Sequence, residues 1–219
     1  MKITSVEPQK NNPKRFNIFL DSVFGFGADE DTVVKFRLVP GKEIPQEDLD
    51  KILLETEVGK LIGRMYGWFG VRMRSEKEVR DYFRVKNQES RVKGREEVSS
   101  LLIDQVVESL KNKGMINDEV FAKSWIEARR RSKKKGLNVI KMELFQKGIS
   151  REIVNEVISH QSSVTSEEKI AEEALEKKTK VWKYLPEIEF KKKATEFLMR
   201  KGFEYAVTKI VVAKFWGKE

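Results

Sequence analysis

Three segments of this chain share a lysine-glycine pair followed by an apolar residue, each after a stretch with helical periodicity. The segments are KNKGMIND, FQKGISRE and MRKGFEYA, and their glycines are Gly114, Gly148 and Gly202. Glycine readily adopts the left-handed conformation just past a helix end, and lysine there complements the negative end of the helix dipole. The pattern predicts helices that end in the same kind of turn, which is typical of a repeated helical unit.

The last two segments match further at an offset of 54 residues. The matching apolar pairs are Leu144 and Leu198, Ile149 and Phe203, Ile153 and Val207, Val157 and Val211, and Ile158 and Val212. Their spacing by four and by one places them on one face of a helix. We therefore predict tandem three-helix repeats, at roughly 58–116, 117–162 and 163–219.

Residues 1–57 have a different pattern. RFNIFLD alternates apolar and polar positions, and VFGFG follows it after the two-residue turn Asp21-Ser22, which predicts a β-hairpin. ITSVEP is a candidate third strand. A short helix is predicted in DEDTVVKFRLVPG, ending at Pro40-Gly41, and another helix is predicted to start at Pro45.

Helix starts beyond residue 58 show the capping-box pattern, in which a serine or threonine is followed three residues later by glutamate. Ser75 and Glu78 form one such pair, and Thr165 and Glu168 form another. Pro186 is well placed to begin a further helix. The polar stretch from Arg84 to Val98 is predicted to be a loop or a helix extension within the first repeat.

The positive charge of the chain is unevenly distributed. Residues 1–57 carry 8 basic and 11 acidic side chains, whereas residues 58–219 carry 36 basic and 24 acidic ones, a net charge of +12. This asymmetry favours a polyanion or an acidic protein surface as partner, although a basic protein without such a partner remains an alternative. The absence of cysteine excludes disulfides and thiol chemistry, and no apolar run is long enough to span a bilayer. We expect a cytoplasmic protein that does not bind membranes.

The densest positive stretch is EARRRSKKKG, in which six of the seven residues from Arg129 to Lys135 are cationic. On a helical wheel Phe121, Trp125, Ala128 and Ser132 share one sector, which predicts that this face is packed and that the cations face water. Lysine and arginine near a helix end can simply complement its dipole. Because no acid within the helix pairs with most of them, we interpret the run as an uncompensated cluster that contacts phosphates or carboxylates, with Gly136 capping the helix.

Residues suited to catalysis are few. One histidine, His160, and no cysteine leave no parts for common zinc sites or for Cys/His or Ser/His nucleophile systems, and no phosphate-binding P-loop motif occurs. The four tryptophans are assigned to the core by default. We therefore predict that the protein is not an enzyme and has no cofactor or metal; a carboxylate-metal nuclease is a third hypothesis that a cleavage assay would test.

The sequence resembles the RecX family, regulators of the RecA recombinase. The resemblance rests on RSEKEV and on INDEVFAKSWIEARRRSKKKGLNVIKMELFQKGIS. The positions that match the family pattern are Arg74, Ser75, Glu78, Asp118, Phe121, Ala122, Trp125, Arg129, Gly136, Glu143, Leu144, Lys147, Gly148 and Ile149. The first repeat departs from the pattern, since Lys86-Asn87 stands where a lysine-glycine pair is expected.

The resemblance implies a mainly α, elongated protein of three three-helix repeats, helix-turn-helix-like, with a small N-terminal segment that contains a β-hairpin. It also implies binding to the RecA–DNA filament and inhibition of recombinase, ATPase and coprotease activities. We further expect a monomer that contacts single- or double-stranded DNA non-specifically. The candidate contact residues are Arg72, Arg74, Arg129, Arg130, Arg131, Lys133, Lys134, Lys135, Lys141 and Lys147. The alternative is a DNA-binding transcription regulator whose helix after Gly148 offers Ser150, Arg151 and Asn155 to bases.

Overall fold

The structure, a computed structural model, describes residues 1–160, 164–182 and 184–216, with the backbone alone for 164–166. These residues form three strands and ten helices, which confirms the mainly α class with a small N-terminal sheet. Contacts group the chain into two compact units. Unit 1 comprises Met1–Met73 and Tyr82–Met115, and unit 2 comprises Arg74–Asp81 and Ile116–Glu219.

Unit 1 begins with a three-stranded antiparallel sheet in the order β1-β2-β3. The strands are β1 (Ile3–Gln9), β2 (Asn12–Leu20) and β3 (Val23–Asp29). Leu20 pairs with Val23 across the turn, where Asp21 and Ser22 have φ angles of 49° and 70°. Positive φ at both central residues is the geometry that matches the twist of a two-residue hairpin. The predicted hairpin and third strand are confirmed.

The short helix α1 (Glu30–Lys35) follows the sheet directly. The Asp29 side chain accepts a hydrogen bond from the Thr32 amide at 2.9 Å and caps the helix. The helix ends at Lys35, so Pro40-Gly41 lies beyond its end and does not terminate it, contrary to the prediction. The sheet and the segment after α1 enclose a core that includes Ile3, Ile18, Leu20, Phe26, Leu38, Ile44, Leu49 and Ile52.

Helix α2 (Gln46–Val71) starts after Pro45, as predicted, and runs for 26 residues. The predicted segment boundary between residues 57 and 58 lies within it. Leu61 and Met65 of α2 are buried, as are Val106 and Leu110 of α4 (Ser100–Asn112), which packs against α2.

Helix α3 (Glu76–Val92) has the predicted capping box. The Glu78 amide donates to Ser75 Oγ at 3.3 Å, and the Ser75 amide donates to Glu78 Oε2 at 3.4 Å. The helix continues through Lys86-Asn87, and another lysine-glycine pair, Lys93-Gly94, follows its end, with Gly94 at φ 61°. The turn is thus displaced by seven residues, or about two helical turns, which restores nearly the same face of the helix.

The rest of unit 2 consists of two consecutive groups of three helices. They are α5 (Asp118–Lys133), α6 (Leu137–Gln146) and α7 (Arg151–Ser159), then α8 (Val164–Trp182), α9 (Glu187–Arg200) and α10 (Tyr205–Trp216). The members of each group pack against one another. Of the five apolar pairs predicted from the 54-residue offset, all residues are buried except Ile153, which is half-buried. The internal repeat is confirmed for these groups.

Two predicted helix starts of the second group have different outcomes. Pro186 stands directly before α9, as predicted. The predicted capping box of Thr165 and Glu168 stays a prediction, because the side chain of Thr165 lies outside the described part of the structure.

The lysine-glycine turns of unit 2 pack on the starts of other helices. Gly148, at φ 81°, lies against Lys77 at the start of α3, and Ser75 Oγ donates to the Lys147 carbonyl at 2.7 Å. Likewise Gly202, at φ 93°, lies against the start of α6, where the Gly136 amide donates to the Lys201 carbonyl at 2.9 Å. The recurring turn is therefore both a helix end and a packing joint.

Candidate functional site

The basic run lies at the C-terminal end of α5, but its cap differs from the prediction. The helix ends at Lys133, and Lys134 adopts the left-handed conformation with φ 48°. Gly136 has φ −76°, which any residue can adopt, and it starts α6 instead of capping α5. A Cβ atom at Gly136 would overlap the backbone of Gly202. This position requires glycine because two backbone segments meet there.

The packed face of α5 is also rotated from the predicted one. Its buried residues are Phe121, Ala122 and Ile126, whereas Ala128 and Ser132 are exposed. The Ser132 hydroxyl donates to the carbonyl of Ala128 at 2.7 Å. The predicted stripe through Ala128 and Ser132 is therefore wrong, because the helix packs through the face of Ala122 and Ile126.

The sequence suggested that the positive charges of this run lack acidic partners, and the structure shows that this prediction is wrong for most of them. Arg129 and Lys135 both pair with Glu143 of α6, and Arg130 and Lys134 pair with two acids of α8. Those two acids are Glu167 and Glu173 respectively. Four of the six cations thus have partners from other helices, which the spacing within α5 could not indicate.

Arg131 and Lys133 are the remaining cations of the run. Both are exposed, and neither forms an ion pair with any residue that the structure describes. They contribute most of the positive charge that the run offers to a partner, since pairing reduces the net charge presented by the other four.

The Arg130–Glu167 pair is the most buried of these pairs, with side-chain exposures of 12% and 11%. The Leu137 amide also donates to Glu167, at 3.5 Å. Burial raises the pKa of Glu167, and the positive charge of Arg130 opposes that rise. The pair therefore joins the end of α5 and the start of α6 to α8.

Trp125 is half-buried and lies at the centre of a polar network, not in a fully packed core. Its ring stacks on Phe121 at a centroid distance of 5.5 Å, and the Arg129 guanidinium lies 4.1 Å from its centroid. The indole N–H donates to Glu143 Oε2 at 2.9 Å, and Arg129 Nε donates to the same oxygen at 2.7 Å. Trp68, Trp182 and Trp216 are half-buried as well.

Lys147 connects this network to the start of α3. Its ammonium lies 5.3 Å from the Trp125 ring centroid and pairs with Glu78, while its carbonyl accepts from Ser75. The Glu76 amide donates to Asp118 Oδ1 at 3.1 Å. These contacts hold the start of α3, within unit 2, against α5 and the end of α6.

The other three predicted contact residues, Arg72, Arg74 and Lys141, are half-buried. Arg72 Nη1 donates to the Met73 carbonyl at 2.8 Å, and Arg74 is half-buried with interactions of its own. Lys141 is half-buried on α6 and has no acidic partner among the described residues. The described residues contain no group of three or more histidine or carboxylate side chains placed to hold a metal. None of the helices described is both long and apolar enough to cross a membrane.

Three family models match the chain in succession. Residues 1–45 match the Regulatory protein RecX N-terminal domain, residues 117–158 the second three-helix domain of RecX, and residues 166–212 its third three-helix domain. Regulatory protein RecX of Bacillus subtilis strain 168 is 35% identical to this chain over 205 residues. These residues cover 94% of this chain and 74% of that protein. The chain belongs to the RecX family.

The relatives differ in how much of their length the chain spans. Regulatory protein RecX of Listeria monocytogenes serovar 1/2a is 33% identical over 175 residues, 80% of this chain but 61% of that protein. A crystal structure of regulatory protein RecX has a TM-score of 0.74 at 23% identity, covering 96% of this chain and 98% of that one. The crystal structure of RecX from Lactobacillus salivarius has a TM-score of 0.61 at 20% identity, and the match covers 72% of this chain and 96% of that one. These two structures support the fold.

Several of the residues that carry the RecX resemblance contact one another in the structure. Polar members contact each other directly: Lys147 with Ser75 and Glu78, and Glu143 with Trp125 and Arg129. The apolar members Phe121, Ala122, Leu144 and Ile149 are buried. The recognisable pattern of this RecX chain therefore describes how the start of α3 packs with α5 and α6, and the exposed contact residues must be sought beside it.

Two lysines of the last three-helix group were missed by sequence reasoning. Lys201 and Lys178 both lie within 6 Å of the Phe197 ring centroid. Lys201 belongs to the pair Lys201-Gly202, which we had interpreted from the sequence only as a helix end. Lys178 lies on α8 without any local pattern that marks it.

Replacing Glu143 with glutamine tests the polar network. Burial opposes ionisation of Glu143, but hydrogen bonds from Lys135, Arg129 and Trp125 outweigh it and lower its pKa. A lowered pKa stabilises the folded state above the unfolded pKa, near 4.5, and the benefit is lost as pH falls through the lower folded pKa. We expect Glu143→Gln to reduce the free energy of unfolding by roughly 2 kcal/mol at pH 7.

Urea unfolding at several pH values between 3 and 7 measures this effect. The difference between wild type and Glu143→Gln should shrink as pH falls, while the exposed Glu196→Gln control stays within about 0.5 kcal/mol of wild type throughout. A pH-independent loss in Glu143→Gln would show that packing, and not the charge, accounts for the role of Glu143.

Proposed function

We propose that this RecX chain binds the filament that a RecA-type recombinase forms on DNA and thereby inhibits strand exchange, DNA-dependent ATP hydrolysis and coprotease activity. It acts as a cytoplasmic monomer through binding alone, with no catalysis of its own. Membership of a family named for regulation supports the proposal. So does the succession of helical groups, since an array of similar units suits an extended partner better than a single pocket does.

The observation that carries the proposal is the division of the basic run between internal and external roles. Arg129, Arg130, Lys134 and Lys135 are engaged within the protein, and Lys147 is engaged likewise. Arg131 and Lys133 remain exposed beside them, without acidic partners among the described residues.

All ten predicted residues stay candidates for contact, but their expected contributions differ. A cation already held by a carboxylate attracts an external anion less, because the pair has little net charge. We therefore assign the largest contribution to Arg131 and Lys133, and smaller ones to Lys141 and to the paired residues. A filament offers both DNA phosphates and carboxylates to such a surface.

An ATPase titration tests the proposal. Wild-type protein should inhibit DNA-dependent ATP hydrolysis by the recombinase, and Arg131→Gln/Lys133→Gln should require roughly tenfold more protein for half-inhibition, equivalent to about 1.4 kcal/mol. Lys192→Gln/Lys209→Gln is the matched control. It removes two exposed lysines of the last helical group that form no ion pair within the described chain, so it should inhibit like wild type.

Two outcomes would contradict the proposal. Absence of inhibition by wild-type protein, alongside no co-sedimentation with the recombinase filament, would exclude filament regulation. An equal loss in the variant and its control would show that total charge, and not the surface at Arg131 and Lys133, governs binding.

The alternative, a DNA-binding transcription regulator, loses part of its support. The Ser150 hydroxyl caps α7 by accepting a hydrogen bond from the Ile153 amide at 3.3 Å, so it is engaged and less available to read a base. Arg151 and Asn155 remain exposed on that helix. Footprinting that protected one duplex sequence, without inhibition of the recombinase, would favour this alternative.

A further inference from the structure

Lys201 occupies an unusual position for a lysine. It follows α9 in the third lysine-glycine turn, is half-buried, and donates from Nζ to the Lys133 carbonyl at 2.7 Å. Its ammonium also lies 5.4 Å from the Phe197 ring centroid. The side chain is therefore held in one place by a backbone acceptor and an aromatic ring, with the basic end of α5 beside it.

Lys178 approaches the same ring from α8. Its ammonium lies 5.9 Å from the Phe197 centroid. Trp182, one turn further along α8, meets the Phe197 ring edge-on at a centroid distance of 5.9 Å. Both rings are half-buried. Two ammonium groups and a partly exposed aromatic pair thus share one small area of the last helical group.

No carboxylate balances this charge among the described residues. Lys133, Lys178 and Lys201 form no ion pair there, whereas the neighbouring Lys134 and Lys135 each have one. Burial lowers the pKa of Lys201, and the positive charges of Lys135, Lys178 and Lys133 lower it further. The folded protein therefore maintains a concentration of like charge that an anion would relieve.

We propose that Lys133, Lys178 and Lys201 form a phosphate-binding site that is occupied by the backbone of a nucleic-acid strand. The site consists of lysines, which bind phosphate as compact point charges. The half-buried Phe197 and Trp182 offer apolar surface to the sugar or base next to the phosphate. The inference deepens the expected non-specific contact with DNA, because it assigns that contact to three named lysines beside an aromatic pair.

The test measures binding of a fluorescein-labelled 20-nucleotide oligo(dT) by anisotropy over a series of salt concentrations. A plot of log affinity against log salt has a negative slope, and each contact with a single strand contributes about 0.7 to its steepness. Lys178→Gln/Lys201→Gln should therefore make this slope shallower by about 0.7 to 1.4. This change corresponds to about a five- to 25-fold weaker affinity at 0.1 M salt. The charge-matched control Lys192→Gln/Lys209→Gln should keep the wild-type slope.

Several results would overturn the inference. They are an unchanged slope in Lys178→Gln/Lys201→Gln, an equal fall in the control, and no binding of the oligonucleotide by wild type. Displacement of the oligonucleotide by micromolar pyrophosphate would show that the site takes a free phosphate compound and not a strand. Poly-glutamate binding that depends on these lysines, without a change in DNA binding, would assign the site to acidic proteins.

Two precautions keep these outcomes interpretable. Because Lys201→Gln also removes the hydrogen bond to the Lys133 carbonyl, Lys133→Gln/Lys178→Gln serves as a second variant that keeps this bond. It should show the same change in slope. Since the assay contains no recombinase, its failure leaves the filament proposal standing, and failure of the ATPase titration leaves this site standing.

Discussion

Alanine at Gly202 is expected to lower the free energy of unfolding by about 3 kcal/mol or more. Gly202 has φ 93°, a conformation that L-residues adopt with strain, and a Cβ there would lie 2.5 Å from the Val139 backbone nitrogen. The joint resists movement because the Gly202 carbonyl accepts from the Asn138 amide at 3.1 Å. The substitution must therefore strain one turn or separate it from the start of α6.

Alanine substitutions at three other glycines distinguish the effect of backbone strain from that of steric overlap. Gly114, in the first lysine-glycine turn, has φ 67° but nothing within 4 Å of a Cβ, so Gly114→Ala should cost about 1 kcal/mol. Gly148 combines φ 81° with a Lys77 Cβ at 2.5 Å and should fall between Gly114 and Gly202, since a side chain can shift more easily than backbone. Gly136 has an ordinary φ, so Gly136→Ala reports the overlap with the backbone of Gly202 and Phe203 without strain in φ.

Urea unfolding of the four alanine variants, followed by circular dichroism, gives the ranking. We expect Gly114→Ala to be the mildest, Gly148→Ala intermediate, and Gly136→Ala and Gly202→Ala the most destabilised. Equal losses at Gly114 and Gly202 would mean that the left-handed conformation alone accounts for the recurring glycine and that the joint contributes nothing.

Features of this RecX chain that depend on neighbouring residues could be predicted from its sequence. The hairpin follows from Asp21-Ser22 between alternating strands, and the start of α3 follows from Ser75 and Glu78. The paired apolar positions of α6–α7 and α9–α10 follow from helical spacing. In the hairpin and the helix start the stabilising contact lies within a few residues along the chain, and for the apolar positions the helical spacing alone decides which residues share a face, so the local pattern contains the physical cause.

Features that depend on residues far apart in sequence were not predictable in the same way. The partners of Arg130 and Lys135 come from α8 and α6, so the run of cations looked uncompensated. Gly136 looked like a helix cap because its contact with Gly202, 66 residues away, has no local signature. For the same reason the area around Phe197, formed by two helices and the end of a third, could not be inferred from any one segment.

Replacement of Arg130 by methionine is expected to lower the free energy of unfolding by about 3 kcal/mol at pH 7. Methionine retains most of the apolar stem but leaves Glu167 buried without its positive partner. The reverse change, Glu167→Gln, should also be costly, because it leaves the Arg130 guanidinium, whose side chain is only 12% exposed, without its carboxylate. The double variant Arg130→Met/Glu167→Gln should therefore recover a large part of the loss.

The pH dependence of stability distinguishes a lost charge from lost packing in this pair. Without Arg130 the folded pKa of Glu167 rises further above its unfolded value near 4.5, so the folded state binds the proton more tightly than the unfolded state. Stability of Arg130→Met should then fall as pH rises from 4.5 through the folded pKa, and the deficit relative to wild type should be smallest in acid. Urea unfolding between pH 4 and pH 8 measures it.

The pair of Lys134 with Glu173 is a matched control, since it joins the same end of α5 to the same helix α8. Its side chains are 36% and 39% exposed, against 12% and 11% for Arg130 and Glu167. Water screens an exposed pair, so Lys134→Met should cost less than about 1 kcal/mol and show little pH dependence. If Arg130→Met were as mild as Lys134→Met, or if Glu167→Gln failed to rescue it, the buried charge would not be what anchors α5 to α8.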